Sequence, residues 1–464
     1  MIYATTDQLK KGIAGIVEIE DEGVKVLDEK ALRASLIDDL IFTATFSADP
    51  AVMKAARWLI RRAGAAVGVV SASIQGLYDA MGQGNVSGIT VPAINIRAMT
   101  YDTAQAVFRA AMQGRVGAVI FEIARSEIDY TVQRPEEYTC AVTAAAIKTG
   151  FTGPLFIQGD HFQVNAKKFA KDSAGEVKAV KELIREGIEA GFYNIDIDTS
   201  TLVELEHPTV KEQQEKNYSL AAELTAMIRE IEPRGVTISV GGEIGEVGGK
   251  NSTVEELRAF MDGYLDALKK RGENIRGISK ISVQTGTTHG GVPMPDGSVA
   301  KVKLDFDTLE KLSDAARKDY GLGGAVQHGA STLPNEAFDR FPAVRTAEIH
   351  LATGFQNIIY DSAHFPAGLK DRIYQYLSLE FAGEKKDTDT QEQFIYKTRK
   401  KGFGNFKKDL WTLPAETRQA IGRELENQFA FLFRKLNADN TLDLVRQYVQ
   451  PVDVPVKMPE ALKA

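Results

Sequence analysis

From residue 89 to residue 365 the sequence alternates short apolar runs with longer amphipathic segments, and this alternation limits the possible folds more than any other feature. Nearly continuous apolar runs rich in β-branched residues are typical of strands buried on both faces, as in parallel sheets. The predicted strands are Val91–Ile96, Gly117–Ile123, Pro154–Gly159, Tyr193–Ile197, Val236–Val240, Ile278–Val283, Ala325–Gln327 and Ala347–Leu351.

Eight such units in this length indicate a closed (β/α)8 TIM barrel, a fold that takes about 250 residues. An open doubly wound sheet is the alternative, but the glycine fingerprint of that fold does not follow the first strand. Apolar residues at helical spacing predict the connecting helices Thr103–Met112, Val177–Ala190, Leu220–Ile231, Val254–Lys270 and Thr308–Tyr320.

Helical extensions are predicted on both sides of the barrel domain 89–365, at residues 1–88 and 366–464. Asp49 and Pro50 form a typical helix start, because Asp caps the first turn and Pro fits its first position. In the C-terminal extension an apolar stripe needs a partner, which is the barrel, the N-terminal helices or another subunit. The stripe consists of Ile421, Leu425, Phe429, Leu432, Phe433 and Leu436.

Composition narrows the class of protein. With 44% hydrophobic and 26% charged residues the chain has the balance of a soluble globular protein. Its net charge of −7 argues against a nucleic-acid partner. No apolar run approaches the roughly 20 residues that span a bilayer, so no membrane segment is expected. The single cysteine, Cys140, and the lack of a signal-peptide pattern predict a cytoplasmic location.

Polar residues follow several predicted strands at the end where strands of a barrel converge on one site. His161, His289 and His328 are three of only six histidines, and each lies at such a strand end. A single histidine there is more often a hydrogen-bonding residue, but the joint placement of three favours a metal centre. Three imidazoles with an open fourth position are typical of catalytic zinc, so these three are the predicted ligands.

Asp160 and several glycines complete the candidate site. A carboxylate next to a metal ligand serves as a general base or acid, or else orients a histidine. Glycines give close approach to an anion through backbone N–H groups, or they only make tight turns. A metal beside such N–H groups predicts a phosphorylated substrate with a carbonyl or hydroxyl near the phosphate. The candidate N–H groups are those of Gly290, Gly291 and Gly329, and Ser331 with Thr332, or else Thr353, would add hydroxyl donors.

These motifs together resemble the class II, metal-dependent ketose-bisphosphate aldolases, the fructose- and tagatose-bisphosphate aldolase family. The resemblance extends from about Val91 to Gln356 and follows the family's motif order. The matching motifs are Pro92-Ala93-Ile94-Asn95, Asp160-His161, Ile197-Asp198-Thr199-Ser200, Gly242-Glu243-Ile244-Gly245, Thr288-His289-Gly290 and His328-Gly329-Ala330-Ser331.

The resemblance implies a mechanism and a set of roles. Zinc, or another divalent metal, would polarise the ketose carbonyl, and Asp160 would take the C4 hydroxyl proton when C3–C4 breaks. Glu243 would be an alternative metal ligand, and Asn95 and Ser126 would lie on the substrate side. A monovalent cation, Na⁺ or K⁺, often accompanies the phosphate in the family. The implied partners are a sugar bisphosphate and further copies of the chain, as a homodimer or homotetramer.

Departures from the family pattern leave the substrate open. His350 occupies the position of an Asn that contacts the dihydroxyacetone phosphate end. The family's second proton carrier after Gly248-Gly249 is missing or moved, with Glu246 and Glu255 as candidates. Fructose 1,6-bisphosphate is the first expected substrate. Tagatose 1,6-bisphosphate, another ketose phosphate, or a non-catalytic barrel subunit are the alternatives. The cation for the remote phosphate is Arg97, Arg125 or a member of the basic cluster Lys397–Lys401, which is otherwise a solvated face.

Overall fold

The structure is a computed structural model, and it describes residues 1–21, 23–244, 250–286, 294 and 304–463. Within these residues the chain forms eleven strands. They are β1 Val17–Ile19, β2 Val24–Val26, β3 Val69–Ser71, β4 Val91–Asn95, β5 Ile120–Ala124, β6 Gly153–Gln163, β7 Asn194–Asp198, β8 Ser239–Glu243, β9 Lys280–Val283, β10 Ala325–Gln327 and β11 Glu348–Leu351.

Strands β4 to β11 form a closed parallel barrel. Neighbouring strands follow the order β6-β5-β4-β11-β10-β9-β8-β7, and β7 pairs again with β6. Closure confirms the predicted TIM barrel and excludes the open sheet. β3 adds a ninth strand outside the ring, where Val69 pairs with Gly153 at the beginning of β6. Closure brings the C-terminal ends of all eight barrel strands to one face of the molecule.

Helices cover the outside of the barrel, as crossover connections between parallel strands require. The predicted helices are present, and each begins at the predicted residue or two to five residues before it. Between β10 and β11 only short helical turns occur among the described residues. The helices between barrel strands are Thr100–Gln113, Arg125–Thr131, Pro135–Thr149, Ala166–Lys171, Ser173–Ala190, Val210–Gln213, Glu215–Ile231, Val254–Lys269, Phe306–Tyr320 and Arg340–Ala343.

The N-terminal region is not wholly helical, in contrast to the prediction. Strands β1 and β2 form a short antiparallel hairpin, and β3 extends the barrel sheet. The predicted start at Asp49 is correct, because its carboxylate accepts hydrogen bonds from the N–H groups of Ala51 and Val52. The helices here are Thr6–Ile13, Glu29–Ala31, a π-helical turn Leu32–Leu36, Ile37–Phe46, Pro50–Ala66 and Gln75–Gly82.

The C-terminal region contributes helices that pack on the barrel. The apolar stripe of helix Ala415–Lys435 is buried against barrel helix Thr100–Gln113, so the barrel is its partner and the stripe is not available as a subunit interface. The Phe429 ring lies 4.8 Å from that of Phe355. The helices after β11 are Thr353–Asp361, Ala367–Glu380, Gln391–Thr398, Gly402–Asn405, Lys407–Trp411, Ala415–Lys435 and Leu442–Tyr448.

Among the described residues, no helix is both long enough and apolar enough to cross a membrane.

Candidate functional site

A cavity of about 380 Å³ opens at the C-terminal face of the barrel. Nine of the predicted catalytic, metal-binding and substrate-binding residues line it, although they come from five different strand ends. They are Asn95, Ser126, Asp160, His161, His328, Gly329, Ser331, His350 and Thr353. Glu243 lies behind His161 as the last residue of β8, not beyond that strand as predicted. His289 and Gly290 lie outside the described residues.

A bulge in β6 presents Asp160 and His161 to the same cavity. The predicted strand ends at Gly159, but β6 continues to Gln163, and its pairing with β7 shifts register between Gly159 and Phe162. His161 has a φ of 40°, outside the strand region. Adjacent strand residues normally face opposite sides, so this bulge is what brings both side chains to one site.

Glycine is required at residue 159 for the same reason. The Phe162 ring folds back over the bulge, and a Cβ atom at residue 159 would lie 2.5 Å from that ring. Any residue larger than glycine at this position would therefore clash with the Phe162 ring.

Carboxylates fix the orientation of His161. Its Nδ1 lies 2.9 Å from an oxygen of Asp198 and 3.2 Å from one of Glu243. Burial alone would lower the pKa of His161, but the charges of Asp160 and Glu243 and the hydrogen bond to Asp198 raise it well above its usual range. With Nδ1 held by Asp198, Nε2 is directed toward Asp160, whose Oδ1 lies 3.9 Å away.

His328 lies beside His161, with ring centroids 4.3 Å apart. Its Nε2 is 3.0 Å from the hydroxyl of Ser282, a residue of β9. Asp160, His161 and His328 each offer a ligand atom within 4.8 Å of the others.

This donor set fits a divalent metal ion. Two imidazole nitrogens and a carboxylate oxygen are ligands that zinc accepts, and a carboxylate behind one imidazole is the usual arrangement around a metal-binding histidine. The carboxylates that favour a proton on His161 supply a negative field that favours a bound cation equally well. The residues that would hold the metal are therefore His161 and His328, with Asp160 and Glu243 adjacent.

His350 lies below His328, with ring centroids 4.0 Å apart, and is almost fully buried. Its Nδ1 is 3.0 Å from Glu122 and 3.2 Å from Asp160, and its Nε2 is 2.7 Å from Glu348. Burial alone would lower the pKa of His350, but Glu122 and Asp160 raise it well above its usual range. The imidazole is thus surrounded by carboxylates and linked directly to Asp160.

Below His350 the barrel interior holds a charged network that the sequence analysis missed. Lys280 is fully buried, and its Nζ lies 2.5 Å from Glu348, 3.0 Å from Asp196 and 2.8 Å from the Gln158 side chain. The Tyr78 hydroxyl donates a hydrogen bond to Glu348 from outside the ring of strands. A signal was present in the sequence, because Asp196 and Asp198, like Glu348 and His350, are two residues apart and so share one strand face.

Burial and pairing separate the acidities of the interior carboxyl groups. Burial and the neighbouring Asp160 charge raise the pKa of Glu122 to about 8. Burial also raises the pKa of Asp196, to about 6, although Lys280 opposes the shift. For Glu348 the Lys280 charge overcomes the effect of burial and lowers the pKa to about 2. The charge on Glu348 is therefore the one most strongly matched by Lys280.

After β10 and β11, backbone and hydroxyl groups form a polar rim. Gly329 has a φ of 68°, in the left-handed region that favours glycine. The Ser331 hydroxyl accepts a hydrogen bond from the N–H of Gly354, in the first turn of the nine-residue helix Thr353–Asp361. Helix N-termini offer unsatisfied N–H groups to anions.

The two arginines at the cavity are both paired with carboxylates. Arg97 Nε lies 2.7 Å from Glu127, which also accepts a hydrogen bond from Asn95. Arg125 forms a two-pronged ion pair with Glu176. Of the candidates for the second proton carrier, Glu255 is exposed on helix Val254–Lys269, and Glu246 lies outside the described residues.

Solved structures resembling this chain include a fructose-bisphosphate aldolase from Campylobacter jejuni, at 17% identity and a TM-score of 0.48, covering 80% of this chain and 97% of that one. A probable tagatose 6 phosphate kinase from Sinorhizobium meliloti 1021 matches at 17% identity and a TM-score of 0.53, covering 77% of this chain and 93% of that one. The second likeness shows a shared fold. No curated protein was found that matches the chain.

A family model described as fructose-bisphosphate aldolase class-II matches residues 77–432. This match is longer than the resemblance read from the motifs, which ended near Gln356, and it includes much of the C-terminal region. It covers well over half of the chain and contains every cavity residue named above. The chain therefore belongs to the class II fructose-bisphosphate aldolase family.

Proposed function

We propose that this protein is a divalent-metal-dependent aldolase that cleaves fructose 1,6-bisphosphate reversibly to dihydroxyacetone phosphate and glyceraldehyde 3-phosphate. The observation that carries the proposal is the bulge in β6, which places Asp160 and His161 together in one cavity with His328. Membership in an aldolase family supports lyase chemistry, and the donor set supports the metal.

In this proposal His161 and His328 hold the metal, with His289 as the third ligand predicted from the sequence and Glu243 as an alternative ligand. When bound, the metal would polarise the ketose carbonyl and stabilise the negative charge that develops as C3–C4 breaks. Asp198 keeps the His161 ring oriented through Nδ1, and Ser282 does the same for His328 through Nε2.

Asp160 is the proposed general base. It accepts the C4 hydroxyl proton during cleavage and returns it in the reverse reaction. Its Oδ1 lies 3.2 Å from Nδ1 of His350, so the imidazole holds the carboxylate in place from below. His350 thus contributes by positioning Asp160, in place of the amide that the family has at this position.

The dihydroxyacetone phosphate end is assigned to the polar rim. Gly329, Ser331 and Thr353 surround the start of helix Thr353–Asp361, which suits a phosphate group. Gly290 stays a prediction for the same role. Asn95 and Ser126 also line the cavity and are proposed to contact the sugar.

Several finer points stay predictions. They are zinc as the metal, a monovalent cation beside the phosphate, a homodimer or homotetramer, a cytoplasmic location, and domain boundaries at residues 88 and 365. Tagatose 1,6-bisphosphate, which differs from fructose 1,6-bisphosphate only in configuration at C4, is the alternative substrate.

The test measures cleavage of both bisphosphates by purified wild type and Asp160→Asn, with and without a chelator. Wild-type turnover should vanish on chelation and return with zinc. Asp160→Asn should keep its zinc content by elemental analysis and lose about 10²- to 10⁴-fold in kcat, the usual contribution of one general base. Equal kcat in the two proteins would remove Asp160 from the proposed role, and turnover that resists chelation would remove the metal.

A further inference from the structure

We propose that Lys400 and Tyr130 form an anion site at the rim of the cavity, and that this site selects substrates with a second phosphate at the end remote from the metal ligands. The inference rests on the proposed function, because it concerns the same cavity. It assigns a substrate-selecting role to the C-terminal region, which supplies Lys400.

The two barrel arginines at the cavity already form ion pairs with carboxylates. Arg97 is neutralised by Glu127 and also donates to the Gln356 side chain at 3.2 Å. Arg125 is neutralised by Glu176, and it donates to the backbone oxygen of Gln163 at 2.6 Å. A phosphate bound to either one would compete with a carboxylate that the fold holds in place, which costs much of the gain.

Lys400 lines the same cavity in a different electrostatic state. Among the described residues, its ammonium has no carboxylate within 4 Å and makes no hydrogen bond. Its nearest basic neighbours are all paired: Lys397 with Asp389, Arg399 with Asp361, and Lys401 with Glu384.

The half-buried Lys400 ammonium lies 5.8 Å from the centre of the Tyr130 ring, a contact that attracts a cation without neutralising it. Burial first, and then the positive charge of Arg97, lower the pKa of Lys400. The Glu127 and Glu384 carboxylates oppose this shift of the pKa without reversing it, as expected of an ammonium that has no carboxylate in contact.

Tyr130 adds a neutral donor to the same place. Its hydroxyl is buried and makes no hydrogen bond of normal geometry in the described part of the chain, although the Glu127 carboxylate interacts with it. Burial first, together with the Glu127 carboxylate, raises the pKa of this hydroxyl, so it keeps its proton at neutral pH. A ligand oxygen would give this hydroxyl an acceptor of its own, since the Glu127 carboxylate is already bound by Arg97 and Asn95.

The fold fixes Lys400 over the cavity from both sides. On one side Arg399 donates to Asp361 at 2.9 Å, at the end of the helix that follows β11. On the other, Lys407 donates to the backbone oxygen of Val132 at 2.6 Å, just after the helix that carries Tyr130. At Gly404 the two backbones meet so closely that a Cβ atom would lie 2.3 Å from the carbonyl oxygen of Tyr130.

The test compares Lys400→Met with wild type on two substrates, fructose 1,6-bisphosphate and fructose 1-phosphate, which lacks the second phosphate. Lys400→Met should lose about 10- to 100-fold in kcat/KM for the bisphosphate, mainly through KM, because one charge-assisted hydrogen bond is lost. Its kcat/KM for the monophosphate should stay within about threefold. Tyr130→Phe should show a smaller loss with the same selectivity.

Two lysines provide matched controls. Lys401→Met removes the adjacent, carboxylate-paired cation, and Lys168→Met removes an exposed lysine at the same cavity that belongs to the barrel. Both should leave the ratio of the two kcat/KM values within about twofold of wild type, since exposed charges contribute little. A larger change of the ratio in Lys168→Met than in Lys400→Met would overturn the assignment.

Calorimetry separates this inference from the proposed function. It measures the binding of both sugar phosphates to two proteins that carry Asp160→Asn, one with Lys400 and one with Lys400→Met. If wild type shows no turnover but the bisphosphate binds, and Lys400→Met weakens that binding selectively, the aldolase assignment is rejected and the anion site is supported. If wild type turns over the bisphosphate and Lys400→Met keeps the same selectivity, the aldolase assignment is supported and the anion site is rejected. Equal weakening of both ligands, or no binding of either to the wild-type background, would overturn the anion site.

Discussion

The barrel interior and the cavity at its mouth both contain ionisable side chains, but they differ in how charge is balanced. In the interior, Lys280 is enclosed by Glu348, Asp196 and Gln158, and no part of it reaches solvent. At the mouth, Asp160, His161 and His328 have protein partners on one side and the cavity on the other. Charges that the protein encloses on all sides therefore maintain the geometry of the fold, whereas charges with one side facing the cavity are placed to contact a ligand.

His350 joins the two regions. It contacts Glu348 of the interior through Nε2 and Asp160 of the mouth through Nδ1. The interior network therefore ends on the proposed catalytic carboxylate, and changes made deep in the barrel have a direct route to the site. The following substitutions test how far the two regions are separate.

Lys280→Met should have the largest effect, on stability. It removes the buried ammonium that contacts both Glu348 and Asp196, and breaking a buried pair in this way costs about 3–5 kcal/mol in the free energy of unfolding. Urea unfolding measures the loss. Lys318→Met, which breaks an exposed pair with Asp314, is the matched control and should cost less than about 1 kcal/mol.

A second variant tests the cause of that loss. Lys280→Met combined with Glu348→Gln removes one of the unmatched charges and should recover part of the stability. If Lys280→Met alone costs no more than Lys318→Met, the interior charges are not the mutually balanced set described above.

His350→Asn should affect both regions. It places the family's usual residue at the junction but withdraws the imidazole from Glu122, Glu348 and Asp160. We expect kcat to fall about 10- to 100-fold, as for other residues that orient a reacting group, with a loss of about 1–3 kcal/mol in unfolding free energy. Steady-state kinetics and urea unfolding on the same preparation measure the two effects. Loss of stability with unchanged kcat would show that His350 serves the interior alone.

Asp198→Asn should affect only the mouth. It weakens the partner of His161 Nδ1, and loss of such a partner typically costs 10- to 100-fold in metal affinity. Competition with a metal-binding dye measures the affinity of the purified protein for zinc. The free energy of unfolding of the metal-free protein should change much less than in Lys280→Met. A metal affinity equal to wild type would mean that His161 does not depend on Asp198, with Glu243 still 3.2 Å from its Nδ1.

Ser282→Ala should have the smallest effect. It removes one neutral hydrogen bond, at 3.0 Å, to Nε2 of His328, and such a bond contributes about 0.5–1.5 kcal/mol. Zinc affinity should fall by roughly 2- to 10-fold in the same dye assay. Ser279→Ala is the control, because its hydroxyl pairs with Ser239 at 2.8 Å instead of with a histidine. Similar zinc affinities in the two variants would show that Ser282 has no role in holding His328.

The local sequence pattern predicted much of the fold correctly. Eight barrel strands were found within a few residues of their positions, because strand and helix periods are properties of neighbouring residues. Errors occurred where the chain departs from a simple period. β6 continues through a bulge past Gly159, and the hairpin β1–β2 is too short to leave a strand pattern.

The candidate site was predicted as a set of residues but not as a set of contacts. Placing Asp160, His161, His328 and His350 at strand ends sufficed to bring them to one cavity once the barrel closed. The choice among Arg97, Arg125 and the basic cluster depended on which cations the fold pairs with carboxylates. That pairing is long-range: Lys280 and Gln158, for example, lie 122 residues apart.

By itself the sequence determined the number of barrel units, the face on which strand ends meet and the chemical types of side chain available there. It did so because burial on two faces, helical amphipathicity and strand order are encoded locally. Tertiary contacts alone place the stripe Ile421–Leu436 on the barrel, pair Lys280 with Glu348, and leave Lys400 without such a partner among the described residues. Those outcomes depend on distances across the closed barrel and between its helices, which no local pattern specifies.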